Sequence, residues 1–97
     1  MNTNVNTNPY TGKLTLVDIK PCATCGAVRG FATLQFGQAM LIRSIKIVQQ
    51  EGQRAYVRLP DKQDPKSQKW FPVVECVDQL LCEEISRVVL AGWEARK

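Results

Sequence analysis

Residues 41–59 read LIRSIKIVQQEGQRAYVRL, and this stretch decides the fold. Arg54 to Leu59 alternates without interruption, with Ala55, Val57 and Leu59 pointing one way and Arg54, Tyr56 and Arg58 the other, as in a half-buried strand. Leu41 to Gln49 is rich in β-branched residues and predicts a second strand, with Leu41, Ile45 and Ile47 sharing a face with Arg43. Gln50-Glu51-Gly52 turns the chain between them. Two registers compete. A two-residue loop would pair Lys46 with Val57 and set a cation among apolar neighbours. A three-residue loop pairs Ile47 with Ala55 and Ile45 with Val57. That leaves one face uniformly apolar and gathers Lys46, Arg54, Tyr56 and Arg58 on the other. A slip of one residue exchanges the faces, so burial selects the three-residue loop. Gly52 suits the left-handed position such a loop requires.

Working outward, Leu14 to Lys20 predicts a strand that stops at Pro21, and Phe31 to Phe36 predicts another with Ala32, Leu34 and Phe36 on one face and Phe31, Thr33 and Gln35 on the other. Pro21 to Gly30 is a loop, as is Pro60 to Lys69 with its two prolines. Trp70 to Val77 predicts a fifth strand, at an edge or bulged because of Pro72. Asp78 caps a helix to about Ala95, with an apolar stripe of Leu81, Ile85, Val88, Val89 and Gly92. Glu83 and Glu84 near its start, and Arg96 and Lys97 at its end, suit the helix dipole. The fold class is therefore α+β: a small antiparallel sheet of about five strands with a C-terminal helix. Residues 1–12, rich in Asn and Thr, form a flexible arm, and residues 13–97 form a single domain.

Composition narrows the function. The chain has 97 residues, enough for one thin core. It lacks histidine, which excludes Ser-His and Cys-His nucleophiles and His-ligated metals. No carboxylate pair is spaced for acid–base work, and no glycine-rich phosphate loop is present, so no enzyme is expected. There is no apolar run long enough to span a membrane and no secretory leader at the N-terminus, so a cytoplasmic protein is expected. Of the net charge of +4, the segment 41–70 alone supplies as much: Arg43, Lys46, Arg54, Arg58, Lys62, Lys66 and Lys69 against Glu51, Asp61 and Asp64. A strand that projects cations and a flat ring from one face has what nucleic acid demands, charge for phosphates and a platform for a base. The candidate nucleic-acid-binding residues are Lys46, Arg54, Tyr56, Arg58, Lys62, Lys66 and Lys69.

Cys22-Ala-Thr-Cys25-Gly26 has the form of a zinc knuckle, in which two thiolates converge on one ion. Cys76 and Cys82 are not spaced as a second knuckle, so no stoichiometric zinc and no other cofactor is expected. Any structural zinc would use Cys22 and Cys25; the alternative is free thiols in a reducing compartment. Trp70, Phe71 and Trp93 are read as core, with any excess going to a subunit interface, and open sheet edges on a small core favour a homodimer. A rival reading makes the chain a protein-interaction module that recruits a partner by a sheet edge or a Trp/Phe patch, its basic face only solubilising. No small-molecule substrate is expected.

The stretch Thr33 to Leu59, followed by Pro60-Asp61-Lys62, resembles the stage V sporulation protein G (SpoVG) septation-regulator family. Leu14 to Ile19 matches that family's first strand, Ala39 to Val48 its third, Gly52 its turn glycine and Tyr56 to Pro60 its strand end, while Glu84-Ile85 matches a helix position. The resemblance implies a homodimeric, nucleic-acid-binding regulator in the bacterial cytoplasm, with Lys62 as the loop base after the proline. Gln63 stands where the family usually has another base, only Arg87 answers to its basic helix positions, and the Cys22/Cys25 pair departs from its pattern.

Overall fold

The computed structural model describes residues 8–96. Its elements are β1 (Leu14–Pro21), β2 (Val28–Phe36), β3 (Met40–Val48), β4 (Tyr56–Arg58), β5 (Asp61–Gln63), β6 (Trp70–Pro72) and α1 (Gln79–Ala95). The first four strands form one antiparallel sheet in chain order, and β5 and β6 form a separate two-stranded ribbon. The helix lies against one face of the sheet. Between them, Leu14, Ala32, Leu34, Ile42, Ile45 and Ile47 from the strands meet Ile85, Val89 and Trp93 from the helix. This is the α+β architecture expected, with one sheet more.

Two β-bulges decide which side chains enter the core. In β1, Leu16 pairs with Leu34 and Asp18 with Thr33, so Val17 is the extra residue. Leu14, Leu16 and Ile19 can then all face the helix although their spacing is two and then three. In β3, Leu34 pairs with Ile42 and Ala32 with Ile45, so the strand carries an extra residue between them. Ser44 absorbs it with a left-handed backbone, φ 62°. The bulge corrects the face expected for β3: Ile42, Ile45 and Ile47 are buried, whereas Leu41 and Arg43 are exposed. Strict alternation would have failed here, because burial of three isoleucines outweighs the cost of one strained residue.

The β3–β4 register also differs from the expected one. Lys46 pairs with Arg58, Ile47 with Val57 and Val48 with Tyr56. The pairing is shifted by two residues from the three-residue hairpin, and the connection runs from Gln49 to Ala55. A shift of two preserves faces, so Ile47 and Val57 still face the core and Lys46 and Arg58 still lie opposite it. Gly52 does take the left-handed conformation, φ 77°. Strand β4 holds only three residues, so Arg54 lies in the connection and strand alternation does not set its direction.

The Pro60–Lys69 segment is not all loop. Lys62 pairs with Phe71 and Gln63 with Trp70 across the β5–β6 ribbon. Asp64 organises its turn, accepting from the Lys66 amide and the Ser67 hydroxyl. Residues 73–77, expected as strand, are irregular.

The helix begins as expected: the Asp78 carboxylate accepts from the Leu80 amide. Its other oxygen accepts from the Tyr10 hydroxyl at 2.6 Å, and the Asn8 side-chain amide donates to the Leu80 carbonyl. Part of the expected arm, residues 1–7, lies outside the described residues. Residues 8–12, by contrast, form a turn held on the start of the helix. The dipole argument holds less well, for the first helical turn contains no acid. Glu84 is buried instead and pairs with Arg87 one turn on, which holds its carboxyl below the usual range. Lys97 is outside the described residues. Gly92 has a packing reason: a Cβ there would strike the Leu16 side chain of β1.

Candidate nucleic-acid interface

The face of the sheet away from the helix carries the candidate site. Phe31, Lys46 and Arg58 stand directly opposite one another across β2, β3 and β4. Tyr56 is two residues from Arg58 and projects from the same face, 47% exposed. The turn after Leu59-Pro60 folds the ribbon back onto this row. Asp61 then bridges it: one carboxylate oxygen accepts from Lys46 Nζ at 2.6 Å and the other from the Arg58 guanidinium. Lys46 Nζ also sits over the Trp70 ring, 4.7 Å from its centroid. Lys46 is therefore held from two sides, by a carboxylate and by a π face, and its side chain is only 17% exposed. The Lys46 hydrogen bond, joined by the Arg58 charge, holds the Asp61 carboxyl below its ordinary value although partial burial opposes this.

The sequence-derived set is thus divided by the structure. Lys46, Tyr56 and Arg58 are brought together with Asp61 and Trp70. Lys62 pairs with Phe71 in the ribbon and, by alternation, projects from the face opposite Asp61 and Trp70. Lys66 and Lys69 lie in the ribbon's turn, exposed, and Arg54 is exposed in the β3–β4 connection. Among the described residues, no carboxylate forms an ion pair with Arg54, Lys62, Lys66 or Lys69. The freely solvated cations therefore stand apart from an inner pair whose two charges are half balanced by one aspartate.

Three residues depart from the sequence reading. Asp61 seemed only to dilute the basic zone, yet it follows Arg58 by three positions across a proline, which is a spacing that turns a chain back on itself. Trp70 and Phe71 were read as core but are 53% and 51% exposed, with Val73 63% exposed beside them. Their position after a basic loop was the available signal. Trp93 is buried, as expected. Beside Trp70 lies a recess of about 280 Å3 bounded by Arg58, Asp61, Phe71 and Pro72.

The cysteines behave otherwise than expected. Cys22 and Cys25 are joined in a disulfide within the β1–β2 turn, so the knuckle offers neither two thiolates to an ion nor free thiols. The turn is tied to β3, where the Gln49 amide donates to the Ala27 carbonyl and the Arg29 side chain donates to Gln49. Cys76 and Cys82 are free and line a cavity of about 200 Å3 between β4 and α1, with Val57, Leu59, Ile85 and Ser86. Contact with the Cys76 thiol, and burial after it, push the Cys82 thiol up to about 11. It stays protonated near neutral pH, which makes it a poor nucleophile and a poor metal ligand. Among the described residues, no group of three or more Cys, Asp or Glu side chains is placed to hold a metal. Among the described residues, no helix is long and apolar enough to cross a membrane.

A four-stranded antiparallel sheet, covered on one side by a C-terminal helix and bearing a basic and aromatic row on the other, defines a small α+β protein with an open sheet face. The SpoVG family model matches residues 13–95, nearly the whole chain, and the chain belongs to the SpoVG family. Neither the curated proteins nor the solved structures give a match.

Proposed function

We propose that the chain is a non-catalytic regulatory protein that works in the cytoplasm as a homodimer and binds DNA or RNA. It lays nucleic acid on the outward face of β3 and β4 and grips phosphates chiefly through the exposed cations of the basic ribbon and the β3–β4 connection beside it. Membership of the SpoVG family supports this reading. The observation that carries it is the arrangement of exposed cations, Arg54, Lys62, Lys66 and Lys69, around a row that contains Lys46, Tyr56 and Arg58. Phosphate contacts from such a surface release counterions, so binding must weaken steeply with salt. Among the described residues, the β1 and β4 edges of the sheet have no strand partner and offer a route to the dimer.

The test is a band-shift titration with single-stranded DNA, duplex DNA and RNA at two salt concentrations. Replacing Lys62, Lys66 and Lys69 together by Ala should weaken binding to all three and flatten the slope of log affinity against log salt. Each lost phosphate contact contributes about 0.7–0.9 to that slope. All three lysines are exposed, so the fold should survive. Unchanged affinity and slope in a folded triple variant would mean that the basic surface only solvates. The exposed Trp70, Phe71 and Val73 would then favour the second reading, a protein-interaction module.

A further inference from the structure

The inner pair of cations raises a question that its position alone does not answer. Lys46 and Arg58 are aimed at the face where nucleic acid would lie, yet Asp61 already occupies both. The carboxylate oxygens stand where phosphate oxygens would stand. A duplex, which offers its backbone and hides its base faces, must compete with Asp61 for these two cations. The rings meet no such competitor. Tyr56 and Trp70 are each about half exposed on this face, and the recess of about 280 Å3 opens beside Trp70. Lys46 lies over one part of the indole and is itself fixed by Asp61, so the ring is held in place while more than half of the residue stays open.

We propose that Trp70 is a base-stacking residue and that Asp61 is a specificity determinant: together they make this face select single-stranded nucleic acid over duplex. Asp61 does so in two ways. It withdraws Lys46 and Arg58 from phosphate competition, and it clamps Lys46 against Trp70 so that the ring is preorganised before a base arrives. An unstacked base enters beside Trp70, with Tyr56 available to a neighbouring base. Stacking on an aromatic side chain tolerates any base, so the preference is for strandedness rather than sequence. This deepens the nucleic-acid reading and rests on it.

The test is a fluorescence titration of the full chain with a single-stranded oligothymidylate and with a duplex of equal length. Trp93 is buried at 6% exposure, so contact quenching by a base reports on Trp70. The oligothymidylate should quench the emission and the duplex should not. Trp70→Ala should lower single-strand affinity by about 5- to 150-fold, which is the worth of one base–aromatic stack, and change duplex affinity by less than about twofold. Trp70→Phe, which keeps a ring, should restore most of the loss. Asp61→Asn should raise duplex affinity and steepen its salt slope by up to about 1.8, two phosphate contacts' worth. If the chain binds nucleic acid with the expected salt dependence but Trp70→Ala weakens both forms equally, or neither, the stacking assignment is overturned while the broader reading stands. If oligothymidylate and duplex both fail to bind at low salt, both are overturned.

Discussion

Ser44 is an exposed residue that makes none of the side-chain hydrogen bonds of the fold, yet the sheet depends on its backbone. It carries φ 62° where β3 takes its extra residue. The left-handed conformation costs an L-residue about 1–2 kcal/mol. Ser44→Gly removes that cost and adds back about 0.5–1 kcal/mol for the freer unfolded chain. The balance is a stabilisation of about 0.5–1 kcal/mol, or a rise in melting temperature of about 3–6 °C for a domain this size. Thr15 supplies the control. It is exposed near the start of β1, paired with Gln35, with ordinary strand geometry, so Thr15→Gly should lose about 0.5–1 kcal/mol. Ser44→Val should also destabilise, because a β-branched side chain tolerates positive φ poorly. Urea and thermal unfolding of the three variants measure all this at one protein concentration, since the stability of the proposed dimer would depend on it. The two glycine substitutions are thus expected to have opposite signs. If Ser44→Gly destabilises as Thr15→Gly does, there is no left-handed bulge at that position. The account of why Ile42 joins Ile45 and Ile47 in the core then falls with it.

The Asp61 bridge sets a pH dependence. Its carboxyl titrates below its ordinary value in the folded state, so the bridge contributes fully above about pH 4 and is lost as the pH falls through the lower, folded value. Trp70 emission should therefore change in the acid range and stay flat there in Asp61→Asn; an identical acid transition in both would refute the link. At the start of the helix, the Tyr10 hydroxyl and the Leu80 amide share Asp78, and both hold its carboxyl down, the hydroxyl most. Asp78→Ala should cost about 1–2 kcal/mol and Tyr10→Phe about 0.5–1.5 kcal/mol in unfolding experiments. The two losses should be less than additive, and strict additivity would show that the Tyr10–Asp78 contact carries no energy.

The sequence revealed faces better than it revealed pairings. The alternation of Ala55, Val57 and Leu59 with Tyr56 and Arg58 was legible because one set must be buried, and a register error of two residues left it intact. The bulges were written in the sequence as well, in Leu16-x-x-Ile19 and Ile42-x-x-Ile45. Three-residue spacing inside a strand pattern signals an inserted residue, but it also imitates a helical repeat, and only the paired strand tells them apart. The ribbon was hidden for another reason. Its strands have three residues each, one wholly polar and the other wholly apolar, so no periodicity can develop, and Asp61 acquires meaning only when Pro60 folds it back on Lys46. The Asp78 cap was plain, whereas Tyr10 at its other oxygen lies 68 positions away in sequence.

The ribbon contributes no residue to the buried core. What fastens it to the sheet is polar: the Asp61 ion pairs and the Lys46–Trp70 contact, while the amides of Val73 and Val74 on the Pro60 carbonyl close its own base. Its local free energy of opening is therefore set by a few interactions and not by the cooperative unfolding of the domain. Opening it breaks both Asp61 pairs at once, which returns Lys46 and Arg58 to solvent as unpaired cations. Opening would thus turn a muted electrostatic surface into a more positive one without unfolding the core, and salt and acid, which weaken the ion pairs, would favour it.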